Sequence, residues 1–168
     1  GKVQTAGNST WNIPIWVTYV KKSNGQSDWD TAFTPLSLIE NANQFYTNGL
    51  HFYLCGISYI NNDDWYELSL QERLALQSYA DSLNPEYNKG YINVFLVKSV
   101  SSATASYGGL GYRPVGPDHG HVIIALTGNY GNILAHELGH YFGLEHTNAF
   151  GPTPQPSSPQ NAQYVHHP

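Results

Sequence analysis

The chain contains no methionine and a single cysteine, Cys55, so an internal disulfide is excluded and a soft metal finds neither thioether nor thiolate cluster. Cys55 sits in an apolar, strand-like run and reads as a small buried hydrophobe. Basic residues are also scarce. Seven Lys and Arg, scattered along a chain of net charge −5, form no patch for phosphate backbones or anionic lipid, so nucleic acid and membrane surface are poor partners. No apolar run approaches the roughly 20 residues that span a bilayer. Gly1 to Asn8 lacks the charged and apolar regions of a signal peptide, as a mature or trimmed chain would. Neither GxxxxGK[ST] nor GxGxxG occurs, and there is no internal repeat.

What is present describes an ordered domain. Hydrophobic residues make up 40%, aromatics 14% and charged residues only 11%, which rules against general disorder, and 168 residues hold one hydrophobic core and not two. Asn8-Ser9-Thr10 is a glycosylation sequon, meaningful only in a eukaryotic secretory protein.

Hydrophobic period and turn chemistry divide the chain. Ile13 to Val20 predicts a strand, ended by turn residues around Asn24-Gly25. Thr34 as N-cap and Pro35 at the first helical position open a helix with Leu36, Ile39, Ala42 and Phe45 or Tyr46 as its apolar stripe. Leu50 to Ile60 predicts a second strand. Ser69-Leu70-Gln71-Glu72 has the form of a capping box, opening a helix with Leu76, Tyr79, Ala80 and Leu83 at helical spacing. Tyr91 to Lys98, apolar on both alternating faces except at Asn93, and Val122 to Leu126 predict inner strands. This alternation gives an α/β layer with a mostly parallel sheet. Ser99 to Tyr112 reads either as a flexible connection or as a weak edge strand able to bind an extended peptide by strand addition. Gly151 to Pro159, with four prolines, predicts an irregular segment.

The chemistry concentrates in His136-Glu137-Leu138-Gly139-His140-Tyr141-Phe142-Gly143-Leu144-Glu145-His146, which fills every specified position of HExxHxxGxxH. On a helix His136 and His140 stand at i and i+4, so both imidazoles leave one face and can grip one ion. Gly143 can take the left-handed conformation that ends helices, and the turn returns His146 as a third ligand. Three imidazoles leave a tetrahedral ion one open position, the arrangement of catalytic zinc, and this ligand set suits zinc best. Zinc there would polarise a carbonyl and lower the pKa of a bound water towards about 7, while Glu137 would accept that water's proton and pass it to a leaving amine.

Other residues carry weaker signals. Asp118-His119-Gly120-His121 is a candidate for a second ion, against the plainer reading of hydrogen-bonded histidines. His51 reads as structural or exposed, His166-His167 as a solvated tail, and Glu145 as exposed, with orientation of an imidazole as its alternative. Tyr164 is a candidate oxyanion donor if the proline-rich segment folds back beneath the metal.

These motif residues resemble the metzincin clan of zinc peptidases, and the run from Gly128-Asn129-Tyr130 through Leu134-Ala135-His136 to His146-Thr147 resembles its pappalysin branch, with the ulilysin-like (cytophagalysin) bacterial enzymes. The resemblance implies a twisted mixed sheet with an antiparallel edge strand, two backing helices and an active-site helix. It implies zinc ligands at His136, His140 and His146, and Glu137 as general base and acid. By the same resemblance, Gly108, Gly109, Leu110, Gly111 and Tyr112 form the edge strand that borders the substrate cleft. The family places a methionine-containing turn below its zinc; here Asn161-Ala162-Gln163-Tyr164 stands in its place, with alanine for methionine. The expected organisation is one catalytic domain over 1–168, with 1–143 as upper subdomain and 144–168 as a short, irregular lower one. The expected protein is a secreted, monomeric zinc metalloendopeptidase acting on protein or peptide. A catalytically inactive zinc-containing binding module and a metal-dependent amidase on a non-protein amide are the alternatives.

Overall fold

The computed structural model describes residues 10–28, 34–47, 49–83, 90–115, 119–126 and 132–146. Strand β1 (Trp11–Lys21) pairs in parallel with β2 (Leu50–Asn61) on one side and with β4 (Ile92–Val97) on the other. Pro14 is accommodated because β1 meets β4 only from Ile15 onward, so its missing N–H interrupts no ladder on that side. Strand β8 (His121–Ala125) continues the parallel order beside β4, and β7 (Gly109–Tyr112) closes the described sheet antiparallel to β8, giving β2-β1-β4-β8-β7. This is the mixed, mostly parallel α/β sheet that the sequence predicts, and the weak edge strand within Ser99–Tyr112 is formed.

Helix α1 (Pro35–Asn43) begins as its sequence dictates. The Thr34 hydroxyl accepts the Ser37 N–H at 3.2 Å, the Ser37 hydroxyl receives the Thr34 N–H at 3.4 Å, and Pro35 occupies the first turn. Its apolar face differs from the expected stripe. Leu38, Ile39 and Ala42 are buried, whereas Leu36, two residues before Leu38 on a 3.6-residue turn, stands on the outer side, and the helix stops before Phe45.

The capping box expected at Ser69 does not form. Ser69 is held in β3 (Glu67–Ser69) by pairing with Ser101, makes no side-chain cap bond, and a 3-10 turn at Leu70–Glu72 intervenes before α3 (Arg73–Leu83). Strand pairing overrides the local capping signal. Leu76 and Ala80 are buried as predicted, while Tyr79 lies outside the core, its ring centroid 5.2 Å from that of Trp65. A one-turn helix α2 (Asp63–Tyr66), started by Asn62, also escapes the hydrophobic pattern, as does a small sheet of β3, β5 (Ser99–Ser101) and β6 (Ser106–Tyr107).

The sheet is covered on both faces. Ile15, Val17, Phe52, Val94, Leu96 and Ile124 meet α1 and the motif helix α4 (Ile133–Tyr141) on one side. Val20, Phe95, Val97, Ile123, Leu110 and Tyr112 meet residues of α2, α3 and the small sheet on the other. Every residue of β4 and β8 is buried, which is why neither strand alternates in polarity. Cys55 departs from expectation. The β1–β2 register shifts between Ile15 and Trp16, leaving Cys55 as the extra residue of β2, half-buried, with its thiol donating to the Ile15 carbonyl at 3.1 Å and its pKa pushed up by burial.

Strand β7 divides its residues by parity. Leu110 and Tyr112 enter the core, and Gly109 and Gly111 turn towards α4. At Gly111 a Cβ would fall on the backbone carbonyl oxygen of Glu137 and lie 2.9 Å from the His140 Cβ, so the strand touches the helix backbone. Gly111→Ala must push α4 off the sheet and is expected to cost about 2 to 3 kcal/mol of stability, read as a lower urea midpoint at constant slope. An unchanged midpoint would contradict this contact.

Candidate metal centre

Helix α4 is fixed before its histidines are considered. Leu134 and Leu138, one turn apart, are buried against the sheet, and the Tyr46 hydroxyl donates to the Ala135 carbonyl at 2.8 Å, tying the helix to the end of α1. His136 and His140 project from the other side of the same helix. The helix then ends in a double hydrogen bond around a left-handed residue: Gly143 has φ +89°, its N–H donates to the His140 carbonyl, and the Leu144 N–H donates to the Gly139 carbonyl, both at 2.9 Å. That turn reverses the chain and brings His146 back to the helix.

The three Nε2 atoms converge. They lie 3.1 Å apart for His136 and His140, 3.0 Å for His140 and His146, and 2.9 Å for His136 and His146. A nearly equilateral triangle of imidazole nitrogens is a poor mutual hydrogen-bond arrangement, because a neutral ring has one donor nitrogen and one acceptor. It suits one shared cation. Zinc–nitrogen bonds of about 2.0 to 2.1 Å in a tetrahedron need nitrogens about 3.3 Å apart, a few tenths of an ångström from what is present. Among the described residues this triad is the group of three side chains able to hold a metal ion.

The backbone sets the tautomer of one ring. His140 Nδ1 lies 2.7 Å from the Leu144 carbonyl oxygen, so Nδ1 carries the proton and Nε2 keeps its lone pair for a metal. Leu144 therefore serves the site through a carbonyl that its side chain does not advertise; the only sequence signal is the glycine before it.

Glu137, next in sequence to His136, is 5% exposed and lies against the glycine face of β7. Burial pushes its carboxyl up to about 8, with the backbone N–H of Gly111 pulling the other way. The role of the two glycines was legible in principle: Gly109 and Gly111 share one face of a strand, a pattern that marks close approach.

The remaining candidates separate. Leu110 and Tyr112 are buried, so β7 can offer a peptide backbone but not those side chains. Gly108 is exposed and its carbonyl accepts from the Ala125 N–H at 2.8 Å. His121 is fully buried, its ring 5.0 Å from Tyr112 and 5.9 Å from Phe95, while His119 is exposed. His51 and Glu145 are exposed. Asp118, Gly128 to Tyr130, Thr147, Tyr164, the proline-rich segment and His166-His167 lie outside the described residues. No helix among the described residues is long and apolar enough to cross a membrane.

Comparison with known proteins agrees with the chemistry of the triad. The family model Reprolysin_5, described as metallo-peptidase family M12, matches residues 17–167. No curated protein matches the chain. Among solved structures, metalloproteinase-II from Bacteroides fragilis superposes with a TM-score of 0.54 over 83% of this chain and 45% of its own, at 16% identity. A chain from the structure of a chaperone-substrate complex gives 0.62 over 83% of this chain and 24% of its own, at 13% identity. Such identities show shared fold alone, and the chain spans less than half the length of either structure.

The turn at Gly143 generates a test. A β-branched residue cannot hold φ +89° without strain, so Gly143→Val is expected to displace both His146 and the Leu144 carbonyl and to weaken metal binding by about 10-fold or more, measured by competition with a chelator. Unchanged affinity would show that the turn does not set the ligands.

Proposed function

The chain belongs to metallo-peptidase family M12, and on that premise we propose that it is a zinc-dependent endopeptidase that cleaves extended protein or peptide substrates. The observation that carries the reading is the convergence of three Nε2 atoms within 3.1 Å of one another at the helix that also carries the buried Glu137. Zinc held by His136, His140 and His146 would act as a Lewis acid on the scissile carbonyl and bring the pKa of a water down towards about 7. Glu137 takes a proton from the attacking water and delivers it to the leaving amine. Its environment suits both transfers: burial favours the protonated form and the Gly111 N–H favours the carboxylate, as a metal ion held by the histidines would.

Substrate binding follows from topology. Strand β7 lies at the margin of the described sheet and its glycine face rests on α4, so a peptide added along its open edge would run past the triad. Gly108 to Tyr112 supply the backbone of this docking strand. Tyr164 remains the proposed oxyanion donor. The pappalysin-like run around Leu134-Ala135-His136, residence outside the cell, and one catalytic domain over 1–168 belong to the same proposal.

The test pairs zinc content with cleavage of a peptide library. The parent is expected to hold one zinc and to cleave, Glu137→Ala to keep its zinc and lose activity by about 1000-fold or more, and His146→Ala to bind zinc more weakly. Stoichiometric zinc with no cleavage by the parent would favour a binding module, cleavage of a non-protein amide in place of the library would favour an amidase, and a chain that cannot be loaded with zinc would end the reading.

A further inference from the structure

Beneath the carboxyl of Glu137 there is no side chain. The residue facing it is Gly109, and a Cβ built there would lie 2.8 Å from the Glu137 Cγ, 2.9 Å from Oε1 and 3.1 Å from Cδ. The three nearest atoms all belong to one side chain, and the approaches to Cγ and Oε1 are closer than a real Cβ tolerates. The strand backbone is thus in van der Waals contact with the acid. Gly109 is itself fixed, paired with Ile124 of β8, and the neighbouring Gly108 carbonyl accepts the Ala125 N–H at 2.8 Å.

The two glycines of this face differ in what they meet. Gly111 meets helix backbone, so a side chain there must move the helix, whereas the atoms nearest to Gly109 all belong to the Glu137 side chain, its Cγ first. A methyl group at position 109 therefore displaces the Glu137 side chain, from Cγ to the carboxyl, before it meets the helix backbone. We propose that Gly109 is a positioning residue: the bare backbone at this point of β7 is the floor that holds the Glu137 carboxyl beside the histidine triad. The inference rests on the proposed role of Glu137 as the proton-transfer group.

The floor also limits what the strand can be. A sheet edge that only bound peptide backbone would tolerate alanine on its inner face, because strand addition uses main-chain groups. Glycine at 109 answers to the acid and not to the peptide, so substitution should change the rate of reaction and spare the binding of substrate.

The experiment uses the full, zinc-loaded chain and its Gly109→Ala variant, with Glu137→Ala in parallel. Displacement of a reacting group by about 1 Å costs on the order of 100-fold, so kcat of Gly109→Ala is expected to fall by about that factor. KM, zinc stoichiometry and Tm should stay at the parent's values, and a crystal structure of the variant should show the Glu137 carboxyl turned from its place. A kcat within about 3-fold of the parent would overturn the inference. So would a rise in KM at constant kcat, which would make Gly109 part of peptide binding, or a loss of zinc or of folding, which would make it a structural residue like Gly111. If Glu137→Ala retains the parent's kcat, the reading of Glu137 itself has failed; if Glu137→Ala is inactive while Gly109→Ala is fully active, only the positioning role has failed.

Discussion

The close approach of β7 to α4 is the contact on which the rest of the site depends. A helix normally stands off a sheet by the length of the intervening side chains, and here two glycines on one strand face remove that spacer. Glu137 is buried in consequence, its side chain lying against the bare backbone of the strand. The same sheet-facing surface of the helix is held further by Leu134 and Leu138, and the hydrogen bond from Tyr46 ties its backbone to the segment after α1. With these contacts made, the helix has little freedom to slide or roll, and the positions of His136 and His140 follow.

The third histidine depends on a different device. His146 lies beyond the helix, and its place is determined by the turn in which Gly143 and Leu144 return their N–H groups to His140 and Gly139. The same turn directs the Leu144 carbonyl at His140 Nδ1, so one local conformation both delivers a ring and sets the protonation of another. Ligand geometry and tautomer are not independent features here.

Much of this was legible because the signals were strong and local. HExxHxxGxxH specifies a helix, a left-handed exit and a returning ring, and the structure joins all three histidines. Thr34-Pro35 marked the start of α1, and the uninterrupted apolar runs of β4 and β8 marked strands covered on both faces. What stayed hidden depended on contacts distant in sequence. Ser69 looked like a helix cap until pairing with Ser101 claimed it for a strand. Asn62 and Asp63 to Tyr66 form too short a helix to show a period. Helical spacing puts Leu36 in one stripe with Ile39 and Ala42, but the phase of α1 is set by Leu38, Ile39 and Ala42. Cys55 was apolar by context, yet its depth depended on a register shift that no local pattern reveals.

That register shift makes the two margins of the described sheet unequal. An uninterrupted, flat margin is an invitation to self-association, since any extended chain can continue its hydrogen-bonded ladder. On the β2 side the extra residue at Cys55 breaks the pleat near the middle of the strand, and Gly56 beside it lies beneath the Trp16 ring, so an incoming strand would have to match a kink. On the β7 side the ladder is only four residues long and regular. A kinked margin on one side and a very short one on the other leave the described sheet without a long, flat edge along which copies could stack.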